Sequence, residues 1–217
     1  MQPSTLDLAL LALAWCAYFA LHSWLASLRV KRWVHARRRA LMPWYRLAFN
    51  AVSVLLIVPL VWWMYRLGGG WLWRWEGAWF WVGNGLALLA VLGFLWTLRH
   101  YDGAEFLGLR QSRGHVHDVE DQEHLHISPL HRFVRHPWYS LGLVILWTRD
   151  MNPAILTTAV VVTLYLVIGS RLEERKLVTY HGDAYRDYRR HVPGLIPLPW
   201  KRLRRDQAER LGGDQRR

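Results

Sequence analysis

WYSLGLVILW (Trp138–Trp147), TRDMNP (Thr148–Pro153), AILTTAVVVTLYLVIGS (Ala154–Ser170) and RLEER (Arg171–Arg175) follow one another in the C-terminal third of the chain, and this stretch decides the fold. At 1.5 Å per residue, the first apolar run covers only about half of a bilayer's hydrocarbon core. The second run is long enough to cross it. Between them, Arg149, Asp150 and Pro153 interrupt both the apolar pattern and any continuous helix. The pattern predicts a helix–turn–helix hairpin whose first arm is short or extended by the preceding residues. Arg149 and Asp150 then sit at its tip, in a wet interface. The two open ends return to one membrane face, which brings the residues before Trp138 near those after Ser170.

Working outward, three further runs have the length and apolarity of membrane spans: about Leu6 to Leu28, Trp44 to Leu67 with a possible kink at Pro59, and Trp75 to Leu98. The fold class expected is therefore an all-α polytopic membrane protein. It has about five transmembrane helices, the last two as the hairpin, and helices in a cytoplasmic C-terminal segment. The apolar fraction of 53% and the 15 Trp agree with this, because Trp concentrates at membrane–water interfaces. The segment Arg29–Pro43 holds six Lys or Arg (Arg29, Lys31, Arg32, Arg37, Arg38, Arg39) and no acid, so it reads as a loop and is assigned to the cytoplasm. The N-terminus is then outside and the C-terminus cytoplasmic. Residues 1–28 contain no Lys or Arg, which favours a retained helix over a cleaved signal.

The net charge of +12 raises the question of nucleic acid, but the charge clusters at the ends of apolar runs and not along one amphipathic face. Nucleic acid is therefore not an expected partner; the lipid bilayer is. The oligomeric state is not legible. The one cysteine, Cys16, excludes an internal disulfide and reads as a small apolar residue. Four regions follow: 1–99, a three-helix membrane region; 100–137, a His-rich connecting segment; 138–200, the hairpin and C-terminal core; and 201–217, a basic tail. Seven of the eleven His lie between Arg99 and Pro137. His115-Val116-His117 and His124-Leu125-His126 invite a metal reading, but the spacing matches no familiar zinc motif and no resident metal is assigned.

Polar residues able to do chemistry gather on the two sides of the hairpin. Before it stands Arg135-His136-Pro137-Trp138-Tyr139; after it, Arg171, Glu173 and Glu174, then Tyr185 and Tyr188. Pro137 biases His136 away from helix, so Arg135 and His136 can project from a turn. Glu174 is one helical turn from Arg171, and the two can pair. A carboxylate there could accept from ribose hydroxyls, Arg or His could receive a carboxylate, and the Tyr rings could cover a sulfonium or an adenine. On spacing alone, a ligand pocket and an interfacial helix end with ordinary salt bridges both stay open. His22 in the first span is a functional candidate by default, or else a hydrogen-bond partner of Asn50.

His136-Pro137-Trp138-Tyr139, Glu173-Glu174-Arg175-Lys176-Leu177, the run Tyr180 to Tyr188, and Val192-Pro193-Gly194-Leu195-Ile196-Pro197 together resemble the C-terminal core of the isoprenylcysteine carboxyl methyltransferase-like family. The resemblance covers roughly Ser128 to Pro197. Phe19-Ala20-Leu21-His22-Ser23, Tyr45-Arg46-Leu47-Ala48-Phe49-Asn50 and Glu105-Phe106-Leu107-Gly108-Leu109-Arg110-Gln111 resemble its bacterial branch, which includes methanethiol S-methyltransferases and denitrification-associated membrane proteins. The resemblance implies a site for S-adenosylmethionine built from the His-Pro segment and the Glu-Glu helix. Carried over by position, Arg135, His136, Pro137, Tyr139, Glu173, Glu174, Tyr185 and Tyr188 would bind the cofactor. Arg171 and Glu174 would stand nearest the reacting centre. Apart from the resemblance, His22, as an ionisable group in a span, and Asn50 are the candidates for contact with the acceptor. One position departs: many members have Gly two residues after the motif's Tyr, where this chain has Leu141 followed by Gly142.

The reading is an S-adenosylmethionine-dependent membrane methyltransferase acting on a small or lipophilic acceptor. A thiol is placed first, and an isoprenoid or lipid carboxylate or a phospholipid amine second. The alternative is a non-enzymatic transporter or an accessory protein of a redox or metal pathway. Against it, the polar clusters lie at span ends rather than at the midplane, and no internal repeat is visible.

Overall fold

The computed structural model describes residues 2–100, 103–113, 128–204 and Gln207. Both His-x-His pairs, with most of the basic tail, lie outside the described residues. Among the described residues the chain is all-helical, with a single isolated β-bridge, Trp73 to Met151, and no strand. The helices are α1 (Thr5–Ala26), α2 (Leu28–Arg37), α3 (Met42–Leu67), α4 (Ala78–Leu98), α5 (Gly103–Leu107), α6 (Leu109–Ser112), α7 (Pro137–Trp147) and α8 (Pro153–His191), with 3-10 turns at Arg39–Leu41 and Pro129–Arg132. Four of them, α1, α3, α4 and α8, are long and apolar enough to cross a membrane. This is a membrane protein. Most apolar side chains on these helices face outward: α1 buries only Leu11 and Trp15. A lipid-facing surface accounts for so much exposed Leu, Val and Trp.

Helix ends follow local chemistry. Ser4 and Asp7 form a reciprocal capping box at the start of α1: Asp7 N–H donates to Ser4 Oγ at 3.1 Å and Ser4 N–H to Asp7 Oδ2 at 2.9 Å. The span expected to run to Leu28 stops at Ala26, because Ser27 is extended (φ −68°, ψ 147°). Ser27 also caps the next helix, its Oγ accepting from Val30 N–H at 3.4 Å. The polar loop expected from Arg29 is therefore largely helix α2. Gly68 and Gly77 both carry positive φ (57° and 55°) and bound the connection between α3 and α4. Pro43, Pro137 and Pro153 stand in the first turns of their helices, where the missing N–H costs nothing. Asn152 Oδ1 caps α8 by accepting from Ile155 N–H at 2.9 Å. α8 breaks at Gly182, which has φ 55° and ψ −129°, a conformation that glycine tolerates.

The chain divides into two compact units. The first comprises residues 1–76, 101–122 and 149–162; the second, 77–100, 123–148 and 163–217. The division falls inside α8. In the first unit α1 packs on α3, and α5 and α6 dock on α3. There the connection after α3 is strapped to the turn before α8: Leu72 N–H donates to Met151 O at 2.8 Å, and Trp75 N–H to Asp150 Oδ1 at 2.9 Å. In the second unit α4 packs on α7. Trp138 Nε1–H donates to the buried Thr97 Oγ1 at 2.9 Å, with its ring 5.0 Å from that of Phe94. A Cβ on Gly93 would meet Leu141 Cδ2 at 3.4 Å, whereas one on Gly142 would meet nothing within 4 Å. Leu141 thus fills the groove that glycine leaves on α4, a packing reason for the departure at that position.

Candidate functional site

The second unit brings together three sequence-distant pieces: the turn before α7, α8 just past its apolar stretch, and the segment after α8. His136 is non-helical (φ −122°, ψ 70°), as the following Pro137 requires, and α7 starts at the proline. The backbone of this turn pairs with the C-terminal segment. Arg135 N–H donates to Pro193 O at 2.9 Å and His136 N–H to Gly194 O at 3.1 Å. Ser140 Oγ–H sits within reach of His136 O at 3.0 Å and of Leu195 O. A Cβ on Gly194 would stand 3.4 Å from the Arg135 guanidinium and 3.9 Å from Glu174 Oε1, so this backbone lies against the ion pair.

Glu174 is the centre of that arrangement. Its side chain is only 7% exposed, and Arg135 Nε donates to Oε1 at 2.7 Å. His136 Nε2–H donates to the same oxygen at 3.1 Å. Arg189 Nε lies 3.2 Å from Oε2. Arg135 also donates to the carbonyl oxygens of Arg189 (3.0 Å) and Val192. Burial alone would raise the Glu174 carboxyl. The hydrogen bonds from His136 and Arg135, with their charges, outweigh it and hold it down at about 2. Glu174 lies beyond the apolar residues 154–170, so bilayer hydrocarbon does not enter this balance.

Glu173 differs from its neighbour. Its side chain is 48% exposed, Tyr139 O–H donates to its Oε2 at 3.3 Å, and His136 Nδ1 stands 3.6 Å from that oxygen. The His136 and Tyr139 rings are parallel within 6°, with centroids 5.3 Å apart. The two acids have separate employment: Glu174 is saturated by protein donors, while Glu173 presents lone pairs to solvent beside two rings. The pairing of Arg171 with Glu174 expected across one helical turn is not seen. Arg171 is exposed, and Glu174 turns instead to Arg135, His136 and Arg189.

Tyr185 and Tyr188 are each 1% exposed and pack with Val192 and Leu203 in an apolar cluster. Their rings meet edge-on at 5.6 Å, and Tyr188 O–H donates to His131 O at 2.7 Å. They brace the segment after α8. Arg189 was not among the residues singled out from sequence. Its only signal was its place one turn after Tyr185, on the α8 face that packs inward, and Arg186 and Arg190 compete for the same reading.

The first unit holds the remaining candidates. His22 Nδ1 is hydrogen-bonded to Ser53 Oγ at 3.1 Å, and its ring lies 4.8 Å from that of Phe49. The bond expected between His22 and Asn50 is replaced by this one, since Ser53 stands one turn further along α3. Asn50 Nδ2–H donates instead to Leu107 O at 3.2 Å. Next to it, Gly108 (φ 87°) lies so close to α3 that a Cβ would meet Leu47 N at 2.7 Å. The motifs around Tyr45–Asn50 and Leu107–Gly108 therefore fit together. Among the described residues no group of three or more potential metal ligands forms.

Comparison with curated proteins bears on this arrangement. A methanethiol S-methyltransferase from a Pseudomonas species is 30% identical over 187 residues, covering 83% of this chain and 69% of that protein. The chain belongs to the methanethiol S-methyltransferase family. A second member, from Crocosphaera subtropica, is 35% identical over 119 residues, 54% of this chain and 46% of its own. The chain is also similar to the protein-S-isoprenylcysteine O-methyltransferase of Schizosaccharomyces pombe, 29% identical over 119 residues that cover 50% of this chain and 49% of that one. The resemblance read from the motifs is thus borne out. The chain spans about half the length of most of the curated relatives it matches. No family model and no solved structure matches it.

Proposed function

We propose that the chain is a membrane methyltransferase that uses S-adenosylmethionine and methylates a small thiol. The observation that carries this reading is the convergence of Arg135–Tyr139, Glu173–Glu174 and Pro193–Gly194 in one unit of a member of this family. The donor's functional groups suit the residues present. Its ammonium and ribose hydroxyls need an exposed carboxylate, and Glu173 offers one. Its sulfonium is attracted by a ring face, and Tyr139 and His136 stand beside Glu173. When bound, the cofactor supplies an electrophilic methyl group on a positively charged sulfur.

The chain's own residues then orient and shield. Glu174 fixes Arg135 and His136, so the turn before Pro137 keeps one shape and the rings keep their spacing. Preorganisation of this kind is the protein's main lever in an in-line displacement. For a thiol acceptor, Glu173, Tyr139 and His136 would hold the donor with its methyl group turned toward the acceptor sulfur. The thiol proton passes to solvent, and the thiolate is favoured near Arg171. His22, an ionisable side chain within a span, and Asn50 on the neighbouring helix are assigned to the acceptor. The topology we propose has five passes in a bacterial inner membrane, with the N-terminus outside and the C-terminus cytoplasmic. An acceptor screen with radiolabelled donor, covering methanethiol, prenylcysteines and phospholipids, tests the reading. Label in a volatile thioether is the expected product; label only in lipid or prenylcysteine overturns the thiol assignment.

A further inference from the structure

The segment between the first two long apolar helices has no part in the site described above, and its composition is unlike the rest of the chain. α2 and the 3-10 turn that follows carry Arg29, Lys31, Arg32, Arg37, Arg38 and Arg39 without one acidic residue. The five arginines are all exposed. The same segment exposes large apolar groups: Trp33 at 58%, Leu41 at 55% and, at the start of α3, Trp44 at 54%. Val30 and Met42 are buried and fasten its two ends to the protein.

The chain path sets where this segment lies. Ser27 is extended, so α2 does not continue α1 as a longer span; it starts afresh with its own cap. It is joined to α1 at one end and, through the short turn, to α3 at the other, and both are of membrane-spanning length. A ten-residue helix tied to two spans has to lie at the membrane surface. Exposed Trp there belongs at the headgroup level, and arginine forks match phosphate oxygens in pairs. Clusters of four to eight cations beside a span attract anionic lipid.

We propose that α2 and its following turn form an interfacial helix that gathers anionic phospholipid headgroups, with Trp33 and Trp44 seated among the lipids. The occupant is a phosphodiester lipid of net negative charge. A neutral phosphatidylcholine offers the phosphate but also a choline cation, which the arginines repel. The inference depends on charge and exposure, and holds whichever membrane face the segment occupies.

The test uses the full chain with Cys16→Ser, carrying an environment-sensitive fluorophore on Ala36→Cys, in nanodiscs of mixed phosphatidylcholine and phosphatidylglycerol. Either one lipid or the other is brominated at the same mole fraction, and quenching is compared. Brominated phosphatidylglycerol should quench at least about twofold more strongly at low salt, and the difference should shrink at high salt as screening sets in. Replacing the five arginines with Gln should abolish the difference while quenching by both lipids persists. Equal quenching by the two lipids in the native chain at low salt overturns the proposal. So does a preference for phosphatidylglycerol that survives unchanged in the five-Gln chain.

Discussion

Replacing Glu174 with Gln separates a buried support from a ligand-contacting acid. The wild-type carboxylate receives Arg135 and His136 on one oxygen and Arg189 on the other, with only 7% of its side chain exposed. Breaking a buried ion pair by removing one charge costs about 3–5 kcal/mol. Two features push the Gln variant to the lower end. The amide keeps an oxygen that can accept from Arg135, and Arg135 keeps the carbonyls of Arg189 and Val192. Arg189 is 43% exposed, so its share is screened and adds about 0–1 kcal/mol. The sum is about 3 kcal/mol. For a chain of this size 1 kcal/mol moves Tm by about 2–4 °C, so a fall of roughly 6–12 °C is expected in detergent. The companion variant Glu173→Gln should leave Tm within about 2 °C, because an exposed acid contributes little, yet weaken donor binding. An unchanged Tm in Glu174→Gln, or the large Tm loss falling on Glu173→Gln instead, would refute the division of roles.

Two further outcomes follow from the same structure. Because Glu174 is held at about 2 against an ordinary 4.5, the unfolded chain binds the extra proton as pH falls. Its stabilisation is fully present above about pH 4.5 and is lost on the way down to about 2. Tm measured against pH should therefore fall through that window, and Glu174→Gln should flatten the slope; parallel curves for the two proteins would contradict this. Gly108→Ala forces a side chain into φ 87° and against Leu47 N, at a cost of about 1–3 kcal/mol from the backbone alone. Hydrogen exchange at residues 107–112 should speed up while that of α7 stays unchanged; unaltered protection would show that the close approach to α3 is not needed.

What could be read from the residues was what proline, glycine and charge enforce locally. Pro137 biases His136 away from the helix, so the turn before α7 was legible and it is present. The meeting of the His-Pro turn with the Glu-Glu helix was legible too, because a short apolar arm after the first and a long one before the second return them together. The partner of Glu174 was not. Helical spacing offers Arg171, but an exposed pair one turn apart gains little. The partly buried Arg135, already fixed by backbone carbonyls, offers more. In the same way His22 takes Ser53 and not Asn50, a choice of one helical turn on α3 that no single-chain pattern encodes. α2 was missed although Ser27 is a good cap, since a run of six cations reads as a loop when its tether to two spans is ignored.

The central claim is that the unit holding Arg135, His136, Glu173 and Glu174 binds a nucleoside-bearing methyl donor. Calorimetric titration of S-adenosylhomocysteine into the purified chain measures this directly. Saturable binding with one site per chain, weakened at least about tenfold by Glu173→Gln without loss of folded protein, is the predicted result; a tenfold change corresponds to about 1.4 kcal/mol. A folded protein that takes up no S-adenosylhomocysteine, or whose affinity is indifferent to Glu173→Gln, would contradict it.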